Sequence, residues 1–206
     1  MLDGTNIEGV EKLGIDLMGF IFYDKSPRFV SQTPSYLPER CHRVGVFVNS
    51  TMSSILNKVL EYRLDYIQLH GDENADYCKV LKAKLPSRVK IIKSISVSHK
   101  DDVLQSKEYE QSADLFLFEN KCASYGGSGM KFKWSHLSSY NGKIPFILSG
   151  GIGPDDINSI LEISHSNFWG IDLNSRFESS PGIKDTDLLR TFINRIDNEQ
   201  NQPIIY

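Results

Sequence analysis

The sequence predicts the α/β class and, within it, a TIM (β/α)8 barrel whose first strand is missing from the chain. Three observations carry this expectation: seven short, nearly unbroken apolar runs, helical segments between most of them, and a helix where such a barrel would begin with a strand. Strands covered on both faces read as continuous apolar runs, and regular alternation with helices implies parallel pairing through right-handed crossovers. That pattern leaves an open doubly wound sheet or a closed barrel. A barrel needs about 200 residues at minimum, and a leading helix with seven strands looks like one lacking strand one.

Taken in order, Thr5-Asn6-Ile7-Glu8 has the spacing of a capping box, in which hydroxyl and carboxylate satisfy orphan amides, and Ile7, Val10 and Leu13 follow at helical spacing. Strands are expected at 16–22, 43–48, 65–69, 89–95, 114–118, 145–148 and 168–173. Helices are expected at 51–62, 73–84, 100–110, 154–163 and 187–196, the last with Leu188, Leu189, Phe192, Ile193 and Ile196 on one face. No linker, low-complexity segment or short repeat divides the chain, so residues 1–206 read as one domain.

At 40% hydrophobic and 24% charged, the 206 residues can bury a substantial core, which excludes disordered and collagen-like chains. Lys plus Arg number 23 against 26 Asp plus Glu, a net charge of −3. No positive excess advertises nucleic acid or an anionic membrane, so a small-molecule partner is expected. Cys41, Cys78 and Cys122 are odd in number and widely spaced, with no CxxC pair and no His cluster nearby. Neither a disulfide framework nor a metal site is suggested. The N-terminal residues lack a basic segment followed by an apolar core, and no stretch approaches the roughly 18 apolar residues of a membrane span. A cytoplasmic location is expected.

In a parallel α/β fold the chemistry gathers at the carboxyl ends of the strands. After the first run, Arg28 in Tyr23-Asp24-Lys25-Ser26-Pro27-Arg28 could present a planar fork to a carboxylate or phosphate, or lie on the surface. His70, in Gln68-Leu69-His70-Gly71-Asp72, could donate to a substrate or be a structural histidine. Tyr125-Gly126-Gly127-Ser128-Gly129 permits close approach of backbone amides to an anion, closure as a lid, or only a flexible turn. Ser149-Gly150-Gly151-Ile152-Gly153-Pro154 ends a strand in glycines just before a helix, where amides and the positive dipole end suit a phosphate. The next strand ends in Asp172-Leu173-Asn174-Ser175, and the last two strand ends of such barrels commonly build the phosphate site. Glu119 and Asp172 are the carboxylates in range; burial beside apolar residues would raise such a carboxyl and equip it as an acid.

Together, Gly19-Phe20-Ile21-Phe22 through Ser26-Pro27-Arg28, Val44-Gly45-Val46-Phe47-Val48-Asn49 and Gln68 through Asp72 resemble phosphoribosylanthranilate isomerases in residue type and order. Tyr125 to Gly129, Ser149 to Gly153, Gly170 to Ser175 and Glu178 through Pro181-Gly182-Ile183-Lys184-Asp185 complete the series, from about residue 3 to the last helix. The resemblance implies a cofactor-free Amadori rearrangement of N-(5-phosphoribosyl)anthranilate to 1-(2-carboxyphenylamino)-1-deoxyribulose 5-phosphate in tryptophan biosynthesis. An acid protonates the furanose oxygen, the ring opens to an iminium ion, and a base takes the C2 proton. By motif, Glu119 is the candidate general acid, and Arg28 would hold the anthranilate carboxylate. Gly127, Gly150, Gly151, Asn174 and Ser175 would surround the phosphate, with His70 and Asp172 lining the site. A monomer or weak homodimer is expected.

The sequence departs from the family pattern in three places. The Lys-x-Cys-Gly segment of strand one, whose cysteine is the family's general base, has no counterpart ahead of the first helix. Cys41 precedes a strand, Cys78 falls within a helix, and Cys122 sits on a loop. The chain as written is therefore expected to be impaired, the favoured explanation being a start further upstream; the alternative is a non-catalytic phosphate-binding barrel fragment. Glu119 stands where the family generally has aspartate, and Arg176 where many members have glycine. Indole-3-glycerol-phosphate synthase, another phosphate-binding barrel, fits the motif series less well.

Overall fold

A computed structural model describes residues 1–120 and 133–199. The chain opens with α1 (Gly4–Glu11), and β1 (Leu17–Ile21), β2 (His42–Phe47) and α2 (Met52–Tyr62) follow. Next come β3 (Tyr66–Leu69), α3 (Ala75–Lys84), β4 (Lys90–Val97) and a 3-10 segment, Lys100–Tyr109. β5 (Leu115–Asn120), a 3-10 segment Trp134–Ser139, β6 (Phe146–Leu148), α4 (Ile157–Leu161) and β7 (Phe168–Ile171) complete the alternation. The short strands β8 (Glu178–Ser180) and β9 (Ile183–Lys184) then precede α5 (Thr186–Glu199).

All seven expected strands form, and they pair in chain order, β1 to β7, each parallel to the next. Among the described residues β1 and β7 do not pair with each other, so the sheet curls as a barrel without its closing strand. The backbone nitrogen of Met1 donates to Gly19 O on the open edge of β1, at 2.9 Å.

Alternation along the strands divides the core in two. Phe116 and Phe118 of β5, Ile91 and Ile95 of β4 and Phe146 of β6 pack outward against the helices in one continuous cluster. Leu115, Leu117, Ile92, Val44, Tyr66 and Ile147 form a smaller cluster inside the curl. Both faces of the strands are therefore apolar, which is why they read as unbroken runs. Glu119 continues the inward series Leu115, Leu117, and so reaches the carboxyl end pointing into the curl.

Three local expectations need correction. The first helix is capped by Asp3, whose Oδ1 accepts the Asn6 amide at 2.7 Å, while Glu8 pairs with Lys12 at the surface. Asp3 competes with Thr5 for the same orphan amides from a position that adds helix length. Residues 154–163 give a 3-10 turn at Pro154–Asp156 and only five α-helical residues, and 100–110 is 3-10 rather than α. The hairpin of β8 and β9 was not expected; its signal was Pro181-Gly182, and Gly182 sits at φ +84 in its turn. On α5, Leu189, Phe192, Ile193 and Ile196 are buried as expected, with Leu188 half-buried at the border.

Candidate active site

The strand ends enclose a cavity of about 680 Å³. It continues inward between β1 and β7 onto Leu17, Val44, Ile92, Leu117 and Ile147. Its mouth is polar, and Arg28, His70, Glu119, Gly150, Gly151, Asp172, Asn174 and Ser175 all line the cavity. These are all the site residues expected from sequence that fall within the described residues. Gly127, with the rest of Tyr125–Gly129, and Cys122 lie outside them.

Glu119 is the most perturbed carboxyl. Its side chain is 17% exposed. Burial first, then the charge of Asp172, raise its pKa to about 8 against an opposing effect of Lys93, so it holds its proton at neutral pH. His70 Nε2 lies 3.1 Å from Glu119 Oε1. Burial, with Lys93 adding to it, pushes His70 down to about 4, so the imidazole is neutral. Its Nδ1 faces the Gln68 amide nitrogen at 2.9 Å and the Ser94 hydroxyl at 3.0 Å. Gln68 Nε2 can only donate, so Nδ1 accepts and the ring hydrogen sits on Nε2, donating to Glu119 Oε1. Glu119 Oε2 is left to carry the acidic proton. Asp172 is held separately, accepting from the Ser149 hydroxyl at 2.7 Å.

Across the cavity a second carboxylate organises the cations. Glu178 accepts from Arg28 Nε at 2.9–3.0 Å and from Arg28 Nη2 at 2.7 Å. It also accepts from the Gly182 amide at 3.1 Å and from Lys184 Nζ at 3.3 Å. Lys184 Nζ donates in turn to Asn174 Oδ1 at 2.8 Å. Two cations share the Glu178 carboxylate, the charge of Asp172 also acts on Lys184, and the guanidinium is fixed in orientation with part of its fork engaged. Sequence reasoning missed Glu178 as the anchor of Arg28, along with Lys184, Gln68, Ser94 and Lys93. Position at or beside a strand end was the available signal for Gln68 and Ser94.

The glycine turn after β6 has a specific steric cause. Gly150 (φ +93) and Gly151 (φ +74) are both left-handed, and a Cβ on Gly150 would meet the Asn120 backbone nitrogen at 2.8 Å. The turn therefore lies hard against the end of β5. The expected support from a helix dipole is weaker than the sequence implied, because α4 is short and the Gly153 amide is bound by Asp156 Oδ2 at 2.6 Å.

Cys41 and Cys78 stay out of the cavity, Cys41 just before β2 and Cys78 inside α3. Burial drives their thiols up to about 12 and about 11, so neither is a thiolate near neutrality. Among the described residues no cluster of three or more His, Cys, Asp or Glu is placed to hold a metal ion, and no helix is long and apolar enough to cross a membrane.

In fold and in the position of its polar mouth, the molecule stands with the α/β-barrel enzymes, whose chemistry sits at the carboxyl ends of the strands. Residues 2–195 match the family model described as N-(5'phosphoribosyl)anthranilate (PRA) isomerase. The N-(5'-phosphoribosyl)anthranilate isomerase of Phocaeicola vulgatus is 45% identical over 196 residues, covering 95% of this chain and 94% of that protein. The crystal structure of phosphoribosyl anthranilate isomerase from Thermotoga maritima superposes with a TM-score of 0.77 at 30% identity, covering 96% and 97% of the two chains. A phosphoribosyl anthranilate isomerase in complex with reduced 1-(o-carboxyphenylamino)-1-deoxyribulose 5-phosphate gives 0.73 at 27% identity, covering 96% and 100%. This chain belongs to the N-(5'-phosphoribosyl)anthranilate isomerase family.

Proposed function

We propose that this chain isomerises N-(5-phosphoribosyl)anthranilate to 1-(2-carboxyphenylamino)-1-deoxyribulose 5-phosphate, a step of tryptophan biosynthesis, in the cytoplasm, as one domain that is a monomer or weak homodimer. The observation that carries the reading is Glu119, a carboxyl raised to about 8 in a cavity that also holds the cations Arg28 and Lys184. A carboxylic acid that keeps its proton at neutral pH can deliver it to the furanose oxygen as the C1–O bond breaks. The iminium ion that forms is positive, and the carboxylate of Asp172 lines the same cavity.

Arg28, oriented by Glu178, holds the anthranilate carboxylate. The phosphate lies against Gly150, Gly151, Asn174 and Ser175, with Gly127 of the glycine-rich segment. His70 serves Glu119 rather than the substrate directly, since its Nε2 hydrogen is committed to Oε1. Removal of the C2 proton falls to a group other than Cys41 or Cys78, which do not line the cavity.

The test follows loss of substrate fluorescence with the purified chain and with Glu119→Gln. Turnover that falls by roughly 10²- to 10⁴-fold in the variant supports the reading. Binding of a product analogue with no turnover by either protein would favour a non-catalytic phosphate-binding barrel instead.

A further inference from the structure

We infer that Lys93 is a positioning residue for the acid at Glu119, acting through the loop that carries His70; the inference rests on Glu119 being that acid. Lys93 interrupts an apolar strand, between Ile92 and Ser94 of β4, and its side chain is only 3% exposed. It shares the helix-facing side of β4 with Ile91 and Ile95, whose neighbours are core residues. From there the ammonium group reaches up to the carboxyl end and donates to Leu69 O at 3.1 Å and Gly71 O at 2.7 Å. Glu73 Oε2 lies 3.4 Å away as its third partner.

Leu69 and Gly71 flank His70. Lys93 therefore grips the backbone on both sides of the imidazole that donates to Glu119. Glu73, equally buried, holds the same loop from the other side, accepting the Gly71 amide at 2.9 Å and the Asn49 amide of the β2 loop at 2.7 Å. A buried ion pair is weak support for stability, since apolar packing of the same volume often does as well. What this pair supplies instead is a fixed loop, and with it a fixed hydrogen bond on Oε1 that leaves Oε2 to the substrate.

Charge acts in the same place. Lys93 faces Glu73 from the loop before α3, Cys78 from α3, the Tyr109 ring from the 3-10 segment at 5.6 Å, His70 from the loop after β3 and Glu119 from β5. Glu119 in addition faces Asp172 from the end of β7. The lysine charge lowers both Glu119 and His70, opposing the effect of burial on the carboxyl. Removing it raises Glu119 further and loosens the loop.

The test is the pH profile of kcat and KM for the full chain and for Lys93→Met, Lys93→Arg and the double variant Lys93→Met with Glu73→Gln, which leaves no orphaned buried carboxylate. In both Met variants the alkaline limb of kcat is expected to move to higher pH, and kcat at the plateau to fall between about 10- and 100-fold with KM little changed. Lys93→Arg keeps the charge but not the three-point geometry, so its limb stays at the native position while kcat falls. A limb and kcat unchanged in the folded double variant overturn the inference, as does a loss confined to KM. If the Met variants do not fold, Lys93→Arg decides alone: native kcat overturns the role. Glu119→Gln run alongside separates the two readings, because a native limb that survives in that variant removes Glu119 as the acid and this inference with it. A limb that disappears there but ignores Lys93 removes the inference alone.

Discussion

Glu119 and Glu178 are both buried in the wall of one cavity, and they titrate in opposite directions. The Glu178 side chain is only 4% exposed, against 17% for Glu119, yet it is held below the usual carboxylate range. Burial alone would raise it; the Arg28 hydrogen bonds, the Lys184 and Arg28 charges and the Gly182 amide outweigh that. Glu119 has a neutral imidazole for a partner, and burial first, then the charge of Asp172, take it up to about 8 against the opposing charge of Lys93. Burial pushes both carboxyls up, and the cations and amide bound to Glu178 but not to Glu119 make the one an ion and leave the other an acid. One cavity thus holds a fixed ionic clamp and a proton donor made from the same side chain.

The largest effect expected from breaking this contrast is at the acid. Glu119→Gln keeps the shape and removes the proton, and kcat should fall by about 10²- to 10⁴-fold while affinity for a product analogue is nearly kept, measurable by fluorescence titration. At the clamp, Glu178→Gln leaves Arg28 and Lys184 facing each other without their carboxylate. Loss of one partner of such a buried cluster costs about 3–5 kcal/mol, which denaturant unfolding would register. The clamp substitution should thus cost stability, and the acid substitution activity.

The stability of Glu119→Gln sharpens the point, because it should rise. The folded carboxyl titrates near 8 and an unfolded one near 4.5, so at pH 7 the folded chain must take up a proton that the unfolded chain does not hold. Native stability is therefore fully present below the unfolded value and declines as pH climbs toward 8. Glutamine needs no proton, and should gain on the order of 1–3 kcal/mol at pH 7, with the advantage vanishing below about pH 4.5. The smallest effect belongs to Ser149→Ala, which removes a neutral donor from Asp172 and should cost about 0.5–1.5 kcal/mol in thermal or denaturant unfolding.

The strands and the positions at their ends were legible because the signal is local. An apolar run sets a strand, and its last polar residue faces the mouth, as with Glu119 after Leu117 and Phe118 or Asp172 after Ile171. The clamp was not legible, since Arg28 and Glu178 stand 150 residues apart and meet only when the hairpin of β8 and β9 folds back over the cavity. Lys93 did carry a signal, a lone charge inside Ile91-Ile92-Lys93-Ser94-Ile95, but its partners Leu69, Gly71 and Glu73 lie 20 to 24 residues away, at the end of β3 and in the loop after it. The helix expected after the Gly150 turn was overdrawn, because neither sequence composition nor proline placement reveals the 3-10 turn there or that Asp156 takes the Gly153 amide.

The most direct measurement is a titration of the Glu119 carboxyl itself, by carbon-13 NMR of the chain carrying glutamate labelled at the carboxyl carbon, with Glu119→Gln to assign the resonance. A midpoint near pH 8 that coincides with the alkaline limb of kcat is the predicted result. A midpoint near 4.5, the value of an unperturbed glutamate, would contradict the account, because Glu119 would then be an ion at neutral pH with no proton to give.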